Sequence, residues 1–202
     1  MTDIELPQAV GESGRLRRRP LIASLLAHYD GLIVTGLGTP TYDVASLGDR
    51  SENFYLWGAM GLAVTIGLGV AMARPKRRVI VITGDGEMLM GIGSLATVAN
   101  VGPTNLAILI LDNQRFGETG NQTGLTAGKT DIAAMANGAG IERTGRIHSA
   151  NDIETASDAL CRQPGPVLYV AQTSPEENPK VLPSMDGPFL ADRFRQAVSV
   201  DR

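Results

Sequence analysis

The sequence predicts an α/β fold in which a mainly parallel sheet carries helices on both faces. Two continuous apolar runs, residues 78–83 and 106–111, are typical of interior parallel strands that are covered on both sides. Shorter apolar segments at residues 31–35 and 167–171 predict two further strands. Because segments with helical patterns separate these strands along the chain, we expect parallel pairing with helical crossovers.

The other elements have shorter or weaker patterns. Predicted helices span about residues 21–28, 41–47, 59–73, 94–100, 131–137 and 152–161, and minor strands lie within residues 51–56 and 141–144. The helix at 59–73 is rich in glycine and alanine, so we expect it to be buried on most sides. Residues 112–129 form a long polar loop, and a loop of that length in a compact domain usually has a function.

Composition divides the chain into three parts. We interpret residues 1–19 as a polar lead-in with little order, residues 20–174 as the ligand-binding domain, and residues 175–202 as an irregular tail with four prolines. A short basic run occupies residues 15–19. We expect this run to be solvated, and contact with an acidic partner surface is the alternative.

Several classes of protein are disfavoured by composition. The 202 residues carry a formal charge of −3, which offers no polycationic surface for nucleic acid. The single cysteine, Cys161, excludes an internal disulfide, and also a cysteine-based zinc site or iron–sulfur cluster made by this chain alone. The N-terminus lacks the pattern of a signal peptide, and the longest apolar stretch, of 15 residues, is short for a membrane helix. We therefore expect a cytoplasmic protein.

Polar and glycine-rich segments follow three of the predicted strands. They are residues 36–39 (Gly-Leu-Gly-Thr), 84–87 (Gly-Asp-Gly-Glu) and 112–115 (Asp-Asn-Gln-Arg). In sheets of this kind ligands bind outside the carboxyl ends of the strands, and glycine-rich turns let backbone N–H groups approach phosphate oxygens. Asp85 and Asn113 carry hard oxygen donors, which Mg²⁺ combines with phosphate oxygens and water. This pattern indicates a Mg²⁺–diphosphate site.

Asp85 and Asn113 lie 28 positions apart, with a helix and a buried strand between them. This arrangement resembles the motif of thiamine diphosphate (ThDP) enzymes, which begins with Gly-Asp-Gly and ends about thirty residues later in Asn-Asn. Here the final pair is Asp112-Asn113, so the first asparagine is replaced. The resemblance implies that Asp85, Asn113 and the main-chain carbonyl of Arg115 hold the Mg²⁺.

A second segment supports the resemblance. Residues 56–61 read Leu-Trp-Gly-Ala-Met-Gly, and in decarboxylases of this family such a segment holds the aminopyrimidine ring. The resemblance implies that the Gly58 carbonyl accepts a hydrogen bond from the 4′-amino group. It also implies that the Met60 side chain wedges between the two rings of the cofactor. Ordinary core packing is the alternative for Met60.

The remaining cofactor-binding candidates lie in and beside the glycine-rich turns. They are Gly38, Thr39, Gly84, Gly86, Glu87 and Phe116. Glu87 departs from the family, in which a small or hydroxyl residue is commoner. Because a carboxylate would repel a diphosphate, we expect the backbone N–H groups of Gly86 and Glu87 to bind it. The Glu87 side chain is then expected to point to solvent or to a cation.

The segments at residues 52–55, 91–97 and 119–122 resemble the β subunits of sulfopyruvate decarboxylases, and the C-terminal half of phosphonopyruvate decarboxylases is similar. The resemblance implies decarboxylation of a three-carbon 2-oxo acid with an anionic head group. Arg115 and Lys129 are the available cations on the long loop, and solvated loop charges are their alternative interpretation.

ThDP enzymes also need a second, pyrimidine-binding domain, which places a glutamate on N1′ of the cofactor as the essential acid and base. This chain has room for one domain, and Glu52, Glu87 and Glu118 all lie in segments assigned to the diphosphate side. We therefore expect a separate pyrimidine-binding α subunit, in an α₂β₂ assembly or with self-association of this chain.

Four other functions are alternatives, and the sequence disfavours two of them. The chain is a subunit of a carboligase of the acetolactate synthase type, or a non-catalytic ThDP-binding subunit. A nucleotide-binding module is disfavoured, because residues 36–39 lack the full Gly-x-Gly-x-x-Gly pattern and no Gly-Lys-Ser/Thr follows any strand. A small subunit of a 2-oxoacid:ferredoxin oxidoreductase is disfavoured by the single cysteine.

Overall fold

The computed structural model describes residues 10–11 and 14–199 and confirms the predicted fold class. Its main sheet has six parallel strands in the order β2-β1-β3-β4-β8-β7. These strands are β1 (Leu32–Thr35), β2 (Asn53–Tyr55), β3 (Val79–Gly84), β4 (Leu106–Asp112), β7 (Arg143–Ile147) and β8 (Val167–Gln172). A small antiparallel hairpin, β5 (Arg115–Phe116) and β6 (Gln122–Thr123), lies within the long polar loop.

Eight α-helices accompany the strands in the described part of the chain. They are α1 (Arg18–Leu25), α2 (Thr39–Ala45), α3 (Ala63–Ala73), α4 (Asp85–Met90), α5 (Ser94–Val101), α6 (Ile132–Gly138), α7 (Ile153–Cys161) and α8 (Gly187–Ser199). None of the helices in the described residues is long and apolar enough to span a membrane. Local signals set some boundaries: the Asp131 side chain caps α6, and Gly102, at φ 61°, ends α5 in the left-handed conformation.

The central strands separate two apolar clusters. Side chains alternate along a strand, so Ile80 and Ile82 of β3 face one cluster, and Val79 and Val81 face the other. Helices α1, α2 and α7 cover the first face, and α3, α5 and α6 cover the second. This burial on both faces explains why the continuous apolar runs at residues 78–83 and 106–111 form the adjacent strands β3 and β4.

The helix predicted at residues 59–73 is shorter and less buried than expected. It begins at Ala63, because Ala59 and Gly61 have φ values of 54° and 87° that a right-handed helix cannot contain. One face packs on the sheet, and a Cβ on Gly67 would lie 2.2 Å from Val81 Cγ2. The opposite face is open, and Met72 is 59% exposed. The prediction of burial on most sides was therefore wrong.

The C-terminal tail is not wholly irregular, which corrects the expectation for residues 175–202. Helix α8 lies beside the edge strand β2, where it buries Leu190 and Phe194. The Phe194 ring lies 5.2 Å from that of Phe54. Arg193 donates hydrogen bonds to the Asp49 carboxylate, at 2.6 and 3.1 Å. Covering an edge strand in this way prevents further strand pairing.

The expected polar lead-in is also partly wrong. Residues 1–9 and 12–13 lie outside the described residues. Leu16, however, is fully buried and its carbonyl accepts a hydrogen bond from Ser174 N at 2.8 Å. Arg18 lies inside α1 and forms a buried ion pair with Asp43 at 2.8 Å. The buried Leu16 and the ion-paired Arg18 therefore hold residues 16–18 against the domain, in a segment that was expected to have little order.

Candidate functional site

The three polar strand ends come together, because β1, β3 and β4 are neighbours in the sheet and point the same way. A cavity of about 350 Å³ opens at their carboxyl ends. Nine of the residues proposed from the sequence line it: Thr39, Met60, Gly84, Asp85, Gly86, Glu87, Asn113, Arg115 and Phe116. The sheet topology thus brings segments from three parts of the chain into one site.

Three proposed residues lie outside this lining. Gly38 borders the cavity, where the Glu118 side chain packs against it. Gly58 does not line it, and open space surrounds the position of a Cβ there. Lys129 lines a different cavity of about 360 Å³, at the ends of β4, β7 and β8. His148 lines that second cavity and lies 3.2 Å from the Gln172 side chain.

Asp85 is a buried carboxylate of the site. It is the first residue of α4 and is 2% exposed. Burial, followed by the nearby charge of Asp112, raises the pKa of Asp85 to about 6. The Thr126 hydroxyl oxygen lies 2.9 Å from Asp85 Oδ2 and 2.7 Å from Asp112 Oδ1. A hydroxyl has one hydrogen to donate, so it cannot satisfy both carboxylates, and a cation at Asp85 would relieve the repulsion.

The segment after β4 is fixed by hydrogen bonds of its own side chains. Asp112 Oδ1 accepts from Gln114 N at 3.1 Å, and Asn113 Oδ1 accepts from Arg115 N at 2.9 Å. Gln114 has a φ of 61°, and its side chain accepts from Arg15 Nη2 at 2.8 Å. These contacts hold the Asn113 amide and the Arg115 backbone beside Asp85 at the cavity wall.

Glu87 does not point to solvent, so that expectation was wrong. The residue is 4% exposed and its carboxyl packs against the turn after β1, where Oε2 lies 1.8 Å from the position that a Cβ on Gly36 would take. Burial raises the pKa of this carboxyl, and the Thr83 hydroxyl and the backbone N–H groups of Gly61 and Leu37 oppose the rise. These groups lie close to the carboxyl but do not reach hydrogen-bonding geometry, so within the described residues neither oxygen has a hydrogen-bond partner.

Met60 is not a core residue. Its side chain is 42% exposed and lines the cavity. The surrounding loop is held by a close approach to the end of α4, where a Cβ on Gly91 would lie 1.9 Å from the Gly61 carbonyl oxygen. Because φ is positive at Ala59 and Gly61 on either side, the loop presents Met60 to the cavity and keeps it out of α3.

Comparison with known proteins identifies the family. Residues 38–171 match the sequence family described as thiamine pyrophosphate enzyme, C-terminal TPP-binding domain. The chain belongs to this family. Thiamine pyrophosphate is another name for ThDP, so the matched region is a ThDP-binding domain. It contains residues 84–87 and 112–115, and Gly38 and Thr39 of the first polar strand end.

The chain is similar to several named decarboxylases. Sulfopyruvate decarboxylase subunit β of Methanocaldococcus jannaschii is 42% identical over 83% of this chain and 88% of its own length. Phosphonopyruvate decarboxylase of Streptomyces viridochromogenes is 37% identical over 92% of this chain, which spans 48% of that protein. The structure of the ThDP-dependent 4-hydroxybenzoylformate decarboxylase of Rhodococcus jostii RHA1 superposes with a TM-score of 0.70 at 24% identity. It covers 88% of this chain, which spans 36% of that structure, and this likeness concerns the fold.

The residues of the ThDP-binding domain fit a metal-bound diphosphate. Within residues 10–11 and 14–199 no three or more histidine, cysteine, aspartate or glutamate side chains are grouped to hold a metal ion. A cation at Asp85 therefore needs amide and main-chain oxygens and the oxygens of its ligand, which suits Mg²⁺ with a diphosphate. At Gly86 a Cβ would lie 2.8 Å from the Phe116 ring, so glycine lets the backbone and this ring meet.

Sequence reasoning missed three residues of the site. Thr126 joins the two carboxylates from within the polar loop, and the length of that loop was the one signal for it. Glu118 lines the cavity, although it was considered for a catalytic role only. Lys180 forms an ion pair with Glu118 at 3.5 Å, and nothing in the pattern of the tail indicates this contact.

Proposed function

We propose that this chain is the diphosphate-binding β subunit of a two-subunit, Mg²⁺- and ThDP-dependent decarboxylase of a small 2-oxo acid. A substrate of the sulfopyruvate or phosphonopyruvate type, with an anionic head group, fits best. The observation that carries the proposal is the cavity in which Asp85, Asn113 and Met60 meet. The 88% coverage of a named sulfopyruvate decarboxylase β subunit supports the two-subunit organisation.

In this proposal the polar wall of the cavity holds the metal and the diphosphate. Asp85, the Asn113 amide oxygen and the Arg115 main-chain carbonyl are the protein ligands of Mg²⁺. The Thr39 hydroxyl and the backbone N–H groups of Gly38, Gly86 and Glu87 bind phosphate oxygens, supported by the positive end of the α4 dipole. Gly84 ends β3 so that this backbone can face the cavity.

The apolar wall aligns the rings of the cofactor. Met60 enters the cavity as the wedge between the rings. Gly58 lies two residues before Met60 and outside the cavity lining, so its carbonyl would accept from the part of the aminopyrimidine that extends beyond the cavity. Phe116 closes the opposite side against Gly86 and limits the access of water. When bound, ThDP would supply a nucleophilic carbon for the 2-oxo group and a cationic thiazolium ring able to accept the electron pair left when CO₂ departs.

Arg115 is the better candidate for binding the anionic head group. It lines the cavity and is exposed there, with Nη1 3.4 Å from the Asn121 carbonyl. Lys129 lies on the far side of Asp112, in the second cavity. We therefore retain Arg115 as the substrate cation and place Lys129 outside the reacting centre.

The essential glutamate is proposed to come from a pyrimidine-binding α subunit, in an α₂β₂ assembly. Glu52 precedes β2 and so lies at the amino ends of the strands, opposite to the cavity. Glu87 packs under the turn after β1, and Glu118 packs against Gly38. All three positions belong to the diphosphate side or to the far end of the sheet.

Calorimetric titration with ThDP, with and without Mg²⁺, tests the binding half of this proposal. Wild type should bind in a metal-dependent way, and Asp85→Ala should lose that dependence. Exposed Asp30→Asn is the control for loss of one negative charge. Metal-independent binding by wild type, or undiminished binding by Asp85→Ala, would contradict the metal site.

The catalytic half is tested with the α subunit, which co-purification from the source cells should identify. The complex should release CO₂ from sulfopyruvate or phosphonopyruvate, and the isolated chain should not. Full turnover by the isolated chain would refute the two-subunit proposal. Formation of an acetolactate-like product by the complex would instead favour the carboligase.

A further inference from the structure

A third cavity, of about 170 Å³, adjoins the proposed cofactor cavity. The two share Thr39, Asn113, Gly117 and Glu118 in their linings, so Glu118 stands between them. The outer wall of the third cavity is formed by the tail, residues 175–178 and Lys180. This part of the tail lies beyond residues 38–171, which match the family.

Glu118 places a negative charge at the position where the diphosphate is expected. Its Oε1 lies 2.8 Å from the position of a Cβ on Gly38, next to Thr39. Asp85 lines the same cavity, so Glu118 adds a second carboxyl group to it. The Glu87 carboxyl is instead buried under the turn after β1. A bound diphosphate would be repelled by Glu118 in this position, unless a cation compensates or the side chain moves.

Lys180 supplies such a cation. Its ammonium lies 3.5 Å from Glu118 Oε2 and 5.3 Å from the centroid of the Tyr42 ring, over its face. Tyr42 belongs to α2, whose first residue is Thr39. The ammonium therefore lies over a residue that is about one helical turn from a proposed phosphate ligand, and the side chain is 61% exposed, so burial does not fix it in place.

The basic run at residues 15–19 fixes the tail in this place. Arg18 and Arg19 both bind the Asp43 carboxylate of α2, at 2.8 and 3.0 Å. Arg19 also donates a hydrogen bond to the carbonyl of Pro179, the residue before Lys180. Asp43 is 1% exposed, so α2, the basic run and the tail are joined through a buried carboxylate.

Two further contacts hold the tail on either side of Lys180. Arg17 binds the Glu176 carboxylate, with both oxygens 3.2 Å from Nε. Trp57 Nε1 donates to the Ser184 carbonyl at 2.8 Å. Lys180 thus lies in a segment that is anchored before and after it, which positions the ammonium in the adjoining third cavity, paired with the Glu118 carboxylate that both cavities share.

We propose that Lys180 binds the terminal phosphate of the cofactor and that Glu118 is its counter-ion in the ligand-free cavity. The inference rests on the proposed function, in which this cavity takes ThDP. The diphosphate repels the Glu118 carboxylate, which leaves its place against Gly38. The ammonium then exchanges a carboxylate for a phosphate oxygen, a charge-assisted contact with a more highly charged anion.

Opposite effects of two substitutions test this exchange. Lys180→Met should weaken the binding of Mg²⁺ and ThDP by about 5- to 20-fold, because one phosphate contact is lost. Glu118→Gln should strengthen it by roughly 2- to 10-fold, because a carboxylate no longer competes with the diphosphate. A purely structural ion pair predicts the same direction for both variants. Both should fold, since an exposed pair adds little stability.

The measurement is calorimetric titration of the full chain, or of its complex with the α subunit, with thiamine monophosphate as a second probe. Lys180→Met should affect thiamine monophosphate much less than ThDP, because the terminal phosphate is missing. Lys76→Met is the matched control, since Lys76 is exposed in the turn before β3, at the other end of the sheet.

If Lys180→Met binds ThDP with the same affinity as wild type, the assignment of Lys180 is overturned and the proposed function is unaffected. If Lys180→Met and Glu118→Gln both bind ThDP more weakly than wild type, the ion pair is a structural contact. The proposed exchange of a carboxylate for a phosphate at Lys180 is then overturned as well. Absence of ThDP binding in wild type would overturn the proposed function, and the role of Lys180 with it.

Discussion

The carboxyl group of Glu87 occupies the space in which a side chain on Gly36 would begin, with Oε2 1.8 Å from the position of that Cβ. Thr83 Oγ1 lies 2.8 Å from the same position. The first glycine of the turn after β1 is therefore required by a buried carboxyl group from α4. This contact couples two of the three segments that form the cofactor cavity.

Gly36→Ala should destabilise the protein by about 1–3 kcal/mol, because the new methyl group displaces the Glu87 carboxyl. In a Glu87→Ala background the same substitution should lose most of that effect, since of these contacts only the Thr83 hydroxyl, at 2.8 Å, then stays close to the new methyl group. The double-mutant cycle is measured by urea unfolding. Gly93→Ala is the control, as nothing lies within 4 Å of a Cβ there. Additive effects of the two substitutions would contradict the proposed overlap.

Asp85→Asn should stabilise the metal-free protein although it removes the proposed metal site. Burial and the Asp112 charge both disfavour the ionised Asp85 carboxyl, whose pKa is raised to about 6. A neutral amide avoids that penalty, so the free energy of unfolding at pH 7.5 without Mg²⁺ should rise by on the order of 1–3 kcal/mol. Mg²⁺ and ThDP should then add stability to wild type but not to the variant. A metal-free variant that is less stable than wild type would refute this reasoning.

Thr126→Val should destabilise the metal-free protein by about 1–3 kcal/mol, because two buried carboxylates lose the hydroxyl between them. Thr126→Ser keeps the hydroxyl and should recover most of the loss. Thermal unfolding of the two variants beside wild type measures the difference. Equal stability of the valine and serine variants would show that the hydroxyl contributes nothing to the site.

The positions of the candidate site residues that directly follow strands could be predicted from the sequence. Continuous apolar runs identified β3 and β4, and the residues after them had to meet at one edge of a parallel sheet. The shared position of Asp85 and Asn113 at that edge was predicted in this way, and both line the cavity there. The start of α3 was not predicted correctly, because the positive φ of Ala59 depends on how the loop packs against Gly91.

Contacts between distant segments could not be predicted. Glu118 and Lys180 are 62 positions apart, and their pairing depends on how Arg19 and Asp43 hold the tail.

Helix α8, by contrast, had a signal in the sequence. Leu190 and Phe194 are four residues apart and lie on one buried face, a pattern that predicts an amphipathic helix despite the prolines nearby.

Met60→Ala should separate recognition of the cofactor rings from recognition of the diphosphate. The Met60 side chain lines the cavity and is 42% exposed, so its truncation should change the stability of the fold little. As the wedge between the rings, it should contribute to ThDP binding but not to the binding of inorganic diphosphate with Mg²⁺. We expect affinity for ThDP to fall by about tenfold, the equivalent of roughly 1.4 kcal/mol, and affinity for diphosphate to stay within about twofold of wild type. Met72→Ala, at a methionine that is 59% exposed on α3, should change neither affinity. Equal losses for both ligands in Met60→Ala would mean that this side chain shapes the diphosphate site and not the ring site.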